Sequence, residues 1–256
     1  MAIIKFLYDN YIDDSTTTIT ALSAHADYPA SNIQEYSWRR HYRSTGDAAE
    51  WLKFDLGSAL AIKVIAIRYH NLTGAATLTL EGNATDAVGA WTYTQVISIT
   101  SDKIIYFLAS TQTFRWWRLT IADGANPDTI IKIGRVFLGS YFMPSHGPLV
   151  PRRKTNIDPS VKQRASGGGP LVEEEDTFEV MAYVWTGHTS ADHATFQTMF
   201  ETVGTKKPFF VCENSAHATP YTVTYYIEAL NEDWEMGVEY EGLHFGPVIE
   251  CAEVRE

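Results

Sequence analysis

Polar and apolar residues alternate with period two through most of the first 140 positions. In EWLKFDLGSALAIKVIAIRYHNL (50–72), Leu52, Phe54 and Leu56 share one face of an extended segment, and Trp51, Lys53 and Asp55 share the other. After Gly57, Ile62, Val64 and Ala66 alternate with Lys63, Ile65 and Ile67. This periodicity and its β-branched content predict two strands around an Asp-Leu-Gly turn, the second delivering Arg68-Tyr69-His70-Asn71 to a loop. Further strands are predicted at 77–83, 91–99, 103–109, 114–121 and 131–139, separated by turn residues such as Asp123-Gly124 and Asn126-Pro127-Asp128. Short strands at this spacing predict an antiparallel sandwich or jelly roll. Trp116 and Trp117 are adjacent, so they point to opposite faces of their strand. One belongs to the core, and the other is a second-layer residue or an interface anchor.

The alternation stops between Pro144 and Pro170, where Pro144, Gly147, Pro148, Pro151 and Pro159 punctuate the chain before Gly167-Gly168-Gly169. Such a stretch predicts a linker or an arm that orders on a neighbour. Beyond it, TFEVMAYVW reads as a strand and residues 190–203 as a helix. Thr189 or Ser190 caps that helix, Phe196, Met199, Phe200 and Val203 form its apolar stripe, and Gly204 ends it. Strands resume at PFFVC, YTVTYYIEAL, MGVEYEGLHF and VIECAEV. The predicted class is mainly β: a jelly-roll sandwich over 1–143, an arm over 144–172, and a second sandwich with one helix over 173–256.

Charge sharpens that division. Of 20 Lys+Arg and 31 Asp+Glu, residues 1–150 hold 12 and 13, residues 151–164 hold 5 and 1, and residues 165–256 hold 3 and 17. A near-neutral module, a basic connector and a strongly acidic module follow one another. The acidic module disfavours nucleic-acid binding and suits a wall along which DNA slides without sticking. Arg152, Arg153, Lys154, Lys162 and Arg164 are the cations of the predicted inter-subunit arm. No apolar run reaches the roughly 18 residues of a membrane span, so no membrane insertion is predicted. MAIIKFLYDNY lacks the pattern of a signal peptide. Cys212 and Cys251 form no metal or redox motif and read as buried thiols folded in a reducing cytoplasm.

Several motifs carry a resemblance. Trp51, Asp55, Leu56 and Gly57, the closing Arg115-Trp116-Trp117-Arg118-Leu119, and Ile133-Gly134-Arg135-Val136-Phe137-Leu138-Gly139 occur in order. Over residues 25–140 the chain resembles the discoidin, or coagulation factor C-type, branch of galactose-binding-like jelly rolls, without the disulfide common in secreted members. His70-Asn71-Leu72, Trp91 after a glycine, and the Trp-Trp-Arg strand are similar to versions carried on tail proteins of tailed bacteriophages. The segment FQTMFETVGTKKPFFV resembles the tail-tube and distal-tail ring domains of those phages. That likeness implies a structural protein of the virion tail tip, assembled in the host cytoplasm. Its expected partners are further copies in a ring, sixfold or threefold, tail-tube and baseplate-hub proteins, and DNA that passes through unbound. The competing class is a lectin-like carbohydrate-binding protein.

No catalytic constellation is present and no cofactor is implied. There is no Gly-x-Ser-x-Gly, no Walker loop, and no glutamate between His188 and His193, whose spacing of five predicts different faces rather than a metal site. Asp123–Asp128 could contact calcium, although turns favour the same residues. The candidate contact surface is Trp38, Arg39, Arg40, His41 and Tyr42 with His70, Asn71 and Trp91, should their loops converge. Aromatic faces stack on a pyranose while His, Asn or Arg bind its hydroxyls. Contact with a glycan, contact with a protein, and simple scaffolding all fit these residues.

Overall fold

The computed structural model describes residues 4–254, apart from 38, 87–88, 100–102, 150–152, 165–166 and 241–242. The chain forms two compact units, and the first strand does not belong with those that follow it. β1 (Lys5–Leu7) pairs antiparallel with β13 (Phe209–Cys212), Phe6 opposite Val211. One unit therefore comprises the residues up to Tyr8, Met143–Ser215 and the chain from Tyr225 on. The other comprises Asp9–Phe142 with Ala216–Thr224. The expected jelly roll over 1–143 thus loses its first strand to the acidic unit: Phe6 is fully buried there against Tyr183, Trp185, Phe196 and Phe209.

The jelly-roll unit holds β2 (Thr18–Ala21), β3 (Tyr42–Arg43), β4 (Glu50–His70), β5 (Thr77–Asn83), β6 (Tyr93–Ile97), β7 (Lys103–Ala122) and β8 (Lys132–Gly139). The order is β3-β8-β4-β7-β5-β6, with β2 beside β4. Two strands build both layers. The first half of β4 pairs Leu52 with Leu119 and Phe54 with Trp117, while its second half pairs Ile65 with Tyr106 and, on its other edge, with Leu138. The Asp-Leu-Gly segment is therefore not a reversal. It is a register break between Asp55 and Leu60 at which one 21-residue strand changes layer, with Gly57 at φ +75°. The segments 103–109 and 114–121 are likewise one strand. Between the layers lie Leu52, Phe54, Ile65, Ile67, Leu78, Leu80, Trp117, Leu119 and Leu138, all fully buried. Trp117 is the core member of its pair and Trp116 points outward, half-buried.

The second unit adds β9 (Arg153–Ile157), β10 (Val161–Arg164), β11 (Pro170–Glu173), β12 (Phe178–Val184), the helix α1 (Ser190–Thr202), β14 (Thr224–Ala229), β15 (Gly237–Tyr240), β16 (Leu243–Phe245) and β17 (Val248–Glu253). Its sheet runs β1-β13-β14-β17-β12-β9. The Thr189 side chain accepts from Asp192 N at the start of α1, and Gly204, at φ +43°, follows its end. The region expected to be irregular contributes three short strands. β9 is an edge of the sheet, paired with β12, and β10 pairs with β11 as a two-stranded extension of that hairpin. Overall the protein is mainly β with one α-helix, as its periodicity predicts.

Candidate functional site

Residues 43–49, 71–76 and 123–131 meet at one end of the jelly roll, tied by backbone and side-chain hydrogen bonds. Asp123 N donates to Asp47 O at 2.8 Å and Ser44 N to Ile131 O at 2.9 Å. The Asp123 carboxylate, 2 % exposed, accepts from Thr73 N, Thr73 Oγ1 and Asn126 Nδ2. Its lone pairs are thus occupied by neighbouring loops, and among the described residues no cluster of ligating side chains stands ready for a metal. Asn71 is the staple of this end. Its Nδ2 donates to Ile130 O (2.8 Å) and Asp128 Oδ2 (3.1 Å), while its Oδ1 accepts from Lys132 N (2.7 Å). The Lys132 ammonium, aided by the Asn71 amide, holds the Asp128 carboxyl below the usual carboxylate range.

Beside this scaffold an aromatic and basic rim forms. The His41 ring stacks on Tyr28 (centroids 4.9 Å, 27°) and tilts against Tyr69 at 5.4 Å. Tyr69 has φ +63°, unusual for a residue with a side chain. An added Cβ on Gly134 would lie 3.0 Å from Tyr69 Cβ and 2.7 Å from Arg68 O, so glycine lets the strained corner seat against β8. Arg43 lays its guanidinium carbon 4.1 Å from the Tyr28 centroid, and its Nε is buried without a hydrogen-bond partner. No salt bridge ties Arg43 to a carboxylate among the described residues, although its charge helps to hold the Asp128 carboxyl in its ionised form. Backbone bonds fix the group, Arg43 N to Tyr28 O at 3.1 Å and His25 N to Arg43 O at 2.8 Å.

The structure brings some predicted contact residues together and separates others. His41 is in the rim, and Arg39 and Arg40 are exposed beside it, Arg40 pairing with Glu35 at 3.3 Å. His70 is half-buried, its Nδ1 accepting from Leu72 N. Tyr42 is fully buried, its hydroxyl donating to Ser23 O, because alternation on β3 turns it inward between His41 and Arg43. Asn71 is committed to the loop scaffold described above. Trp91 sits on the connection after β5, whereas 71–76 lie before it, so a seven-residue strand of about 23 Å separates them. Trp91 is 8 % exposed and covers Arg118, 4.7 Å from its ring centroid. Trp38 lies outside the described residues. Arg43 ends the basic-aromatic run 38–43 and Tyr69 lies in the Arg68–Asn71 segment, both marked out by the sequence, whereas nothing in the sequence marks Tyr28.

In the other unit, His188 and His193 do share a site. Because His188 precedes α1, helical spacing does not govern it; its ring lies parallel to His193 (6°, 5.7 Å) and 5.6 Å from His244. His188 is 1 % exposed and neither ring nitrogen has a partner. Burial, then the neighbouring imidazoles His193 and His244, push its pKa down.

With its strands in two antiparallel layers, this unit is a β-sandwich of the jelly-roll kind. No protein-family model matches the chain, and no curated protein matches it. Solved structures do. One is the Ruminococcus gnavus GH29 fucosidase in complex with fucose (TM-score 0.45, 15 % identity, 54 % of this chain and 28 % of that one). Another is the Clostridium perfringens module CpGH89CBM32-5 in complex with GalNAc-β-1,3-galactose (TM-score 0.42, 9 % identity, 52 % and 100 %). A third is the family 32 carbohydrate-binding module of C. perfringens NanJ with galactose (TM-score 0.42, 14 % identity, 55 % and 100 %). This chain spans little more than a quarter of the fucosidase.

Proposed function

We propose that the jelly-roll unit binds carbohydrate at the rim of Tyr28, Arg43, His41 and Tyr69. The observation that carries this reading is Arg43. A guanidinium set 4.1 Å from a tyrosine centroid, in no salt bridge among the described residues though within the field of the Asp128 carboxylate, keeps its terminal N–H donors for an incoming acceptor. Sugar hydroxyls are such acceptors, and the tyrosine edges beside them suit the apolar C–H face of a pyranose. The stack also fixes the rim before binding, which lowers the ordering cost. Sugar-complexed modules occur among the similar structures, but the rim rather than that likeness supports the reading. The test is a glycan array with the whole chain, followed by titration of Arg43→Ala and Tyr28→Ala. Binding lost in both variants supports it; binding unaffected by either refutes it.

A second reading concerns the other unit and rests on the β10–β11 extension. Val161, Leu171 and Val172 are exposed there at 43 %, 57 % and 49 %, on a hairpin whose first strand carries Lys162 and Arg164 and whose second leads into Glu173–Asp176. Exposed aliphatic residues on a charged hairpin suit insertion into a neighbouring copy. This supports self-association of that unit, the step that a ring-forming structural role in a phage tail tip would require. Lys154 takes no part in the arm, since its ammonium meets Glu179 (3.5 Å), Glu213 (3.6 Å) and Tyr225 (2.6 Å) of its own unit. Arg153 is exposed on β9, and Arg152 lies outside the described residues. Light scattering of the wild type and of Leu171→Asp/Val172→Asp tests the reading: a closed oligomer lost in the variant supports it. A monomer at every concentration, or an oligomer indifferent to the change, refutes it.

A further inference from the structure

The outward face of the layer formed by β2, β5, β6 and the halves of β4 and β7 carries a second aromatic arrangement, away from the rim. Lys53 of β4 stands opposite Arg118 of β7, Asp55 opposite Trp116, and Trp51 opposite Thr120. Glu81 and Asn83 of β5 continue the rows beside Arg118 and Trp116. Lys53 Nζ lies 5.7 Å from the Trp51 centroid and 5.3 Å from the Trp116 centroid, so the two rings are at most about 11 Å apart. Both indoles are half-buried.

The groups around the rings are locked. Lys53 Nζ bonds both oxygens of Asp86 at 2.9 Å. Arg115 makes a two-pronged pair with Asp55 at 2.6 and 2.8 Å and lies 5.4 Å from the Trp116 centroid. Arg118 Nε donates to Glu81 Oε2 at 2.6 Å, and Thr120 donates to the same oxygen at 2.7 Å.

We propose that this face is a platform for an extended polysaccharide, with Trp51 and Trp116 as its two stacking rings. The argument is one of matching chemistry. Every cation on the face has a carboxylate partner, so little net positive charge remains to hold a phosphate backbone. A protein partner would need a dry apolar centre, and sealing these ion pairs from water is costly. A sugar chain avoids both difficulties: each pyranose lays a C–H face on an indole, and its hydroxyls bond to the exposed Asp86 carboxylate and Arg115 guanidinium beside the rings. With the rings at most about 11 Å apart, one short oligosaccharide reaches both. Ion pairs that hold the platform before binding reduce the ordering cost. This site goes beyond the rim and does not depend on it.

Affinity electrophoresis of the whole chain in gels containing soluble β-1,4-glucan, β-1,4-xylan or β-1,4-galactan tests the proposal. At least one polymer should retard the wild type, and a hexasaccharide of it should compete where its monosaccharide does not. Trp51→Ala and Trp116→Ala should each weaken binding by about 2- to 10-fold, the range set by a single aromatic stack. The double variant should run unretarded. Trp51→Phe and Trp116→Phe keep a ring and should retain more retardation than the alanine variants. The proposal is overturned if no polymer retards the wild type, if the double variant is still retarded, or if ring-keeping and alanine variants lose equally. It is overturned too if Arg43→Ala abolishes retardation, which would assign the polymer to the rim.

Discussion

His188 makes the acid sensitivity of its unit a measurable quantity. Its imidazole is 1 % exposed, faces His193, His244, His146 and Asp192, and has no hydrogen-bond partner at either nitrogen. A buried unpaired donor costs about 1–3 kcal/mol even when neutral, and a proton there also meets two nearby imidazoles. Burial first, then His193 and His244, lowers its pKa, with Asp192 opposing. The unfolded chain takes a proton near pH 6.5, and the folded one refuses it until lower pH. Stability from this residue is therefore complete above about pH 6.5 and falls as the pH drops from there toward the depressed folded value. With one proton linked, the loss between pH 7.5 and 5.5 is at most about 1.4 kcal/mol. His188→Phe keeps a ring against Phe196, 5.6 Å away, and removes the titration. The two units need not unfold together, so the assay is urea unfolding at both pH values. It is read by hydrogen exchange in peptides spanning 178–200 and 243–253. Wild type should lose more stability than His188→Phe on acidification, by no more than the one-proton limit of about 1.4 kcal/mol. Parallel pH profiles for the two proteins would refute the reasoning, whatever their absolute stabilities.

Two further outcomes follow from the jelly roll. Asn71→Ala strips bonds from Lys132 N and Ile130 O and should destabilise that unit by about 2–3 kcal/mol, seen as a lower urea midpoint with an unchanged slope. Gly82→Ala would put a Cβ 2.7 Å from Phe114 and 3.1 Å from the Trp117 ring, so thermal unfolding should show a loss of about 1–3 kcal/mol from overpacking.

Much of the fold is legible from period-two alternation, because a half-buried strand imposes it on every residue. Thr77–Asn83 coincides with its predicted strand, and the helix starts where Thr189 can cap it. The continuity of β4 through Gly57 was not legible, since a glycine at positive φ serves a turn and a layer change equally well. β1 was missed for another reason: three residues carry too little pattern to reveal a partner two hundred positions away. The site divides in the same way. His41 followed from composition, but Tyr28 and Tyr69 reach it only through tertiary packing. Asn71 looked like a ligand residue because loop scaffolding and sugar recognition call on the same amide.

The pairing of Lys5–Leu7 with Phe209–Cys212 has a consequence for synthesis. When β1 leaves the ribosome its partner has not been made, and Phe6 must wait, exposed, for the aromatic residues that will enclose it. The jelly roll, all of whose strands lie within Thr18–Gly139, can close during that interval, with Asn10 bridging to Gly139 where its two ends meet. Domains generally fold as units while translation proceeds. The inserted jelly roll can therefore pair all its strands before its host can, and a chain stalled after residue 142 would hold a closed sandwich beside a β1 still without its partner.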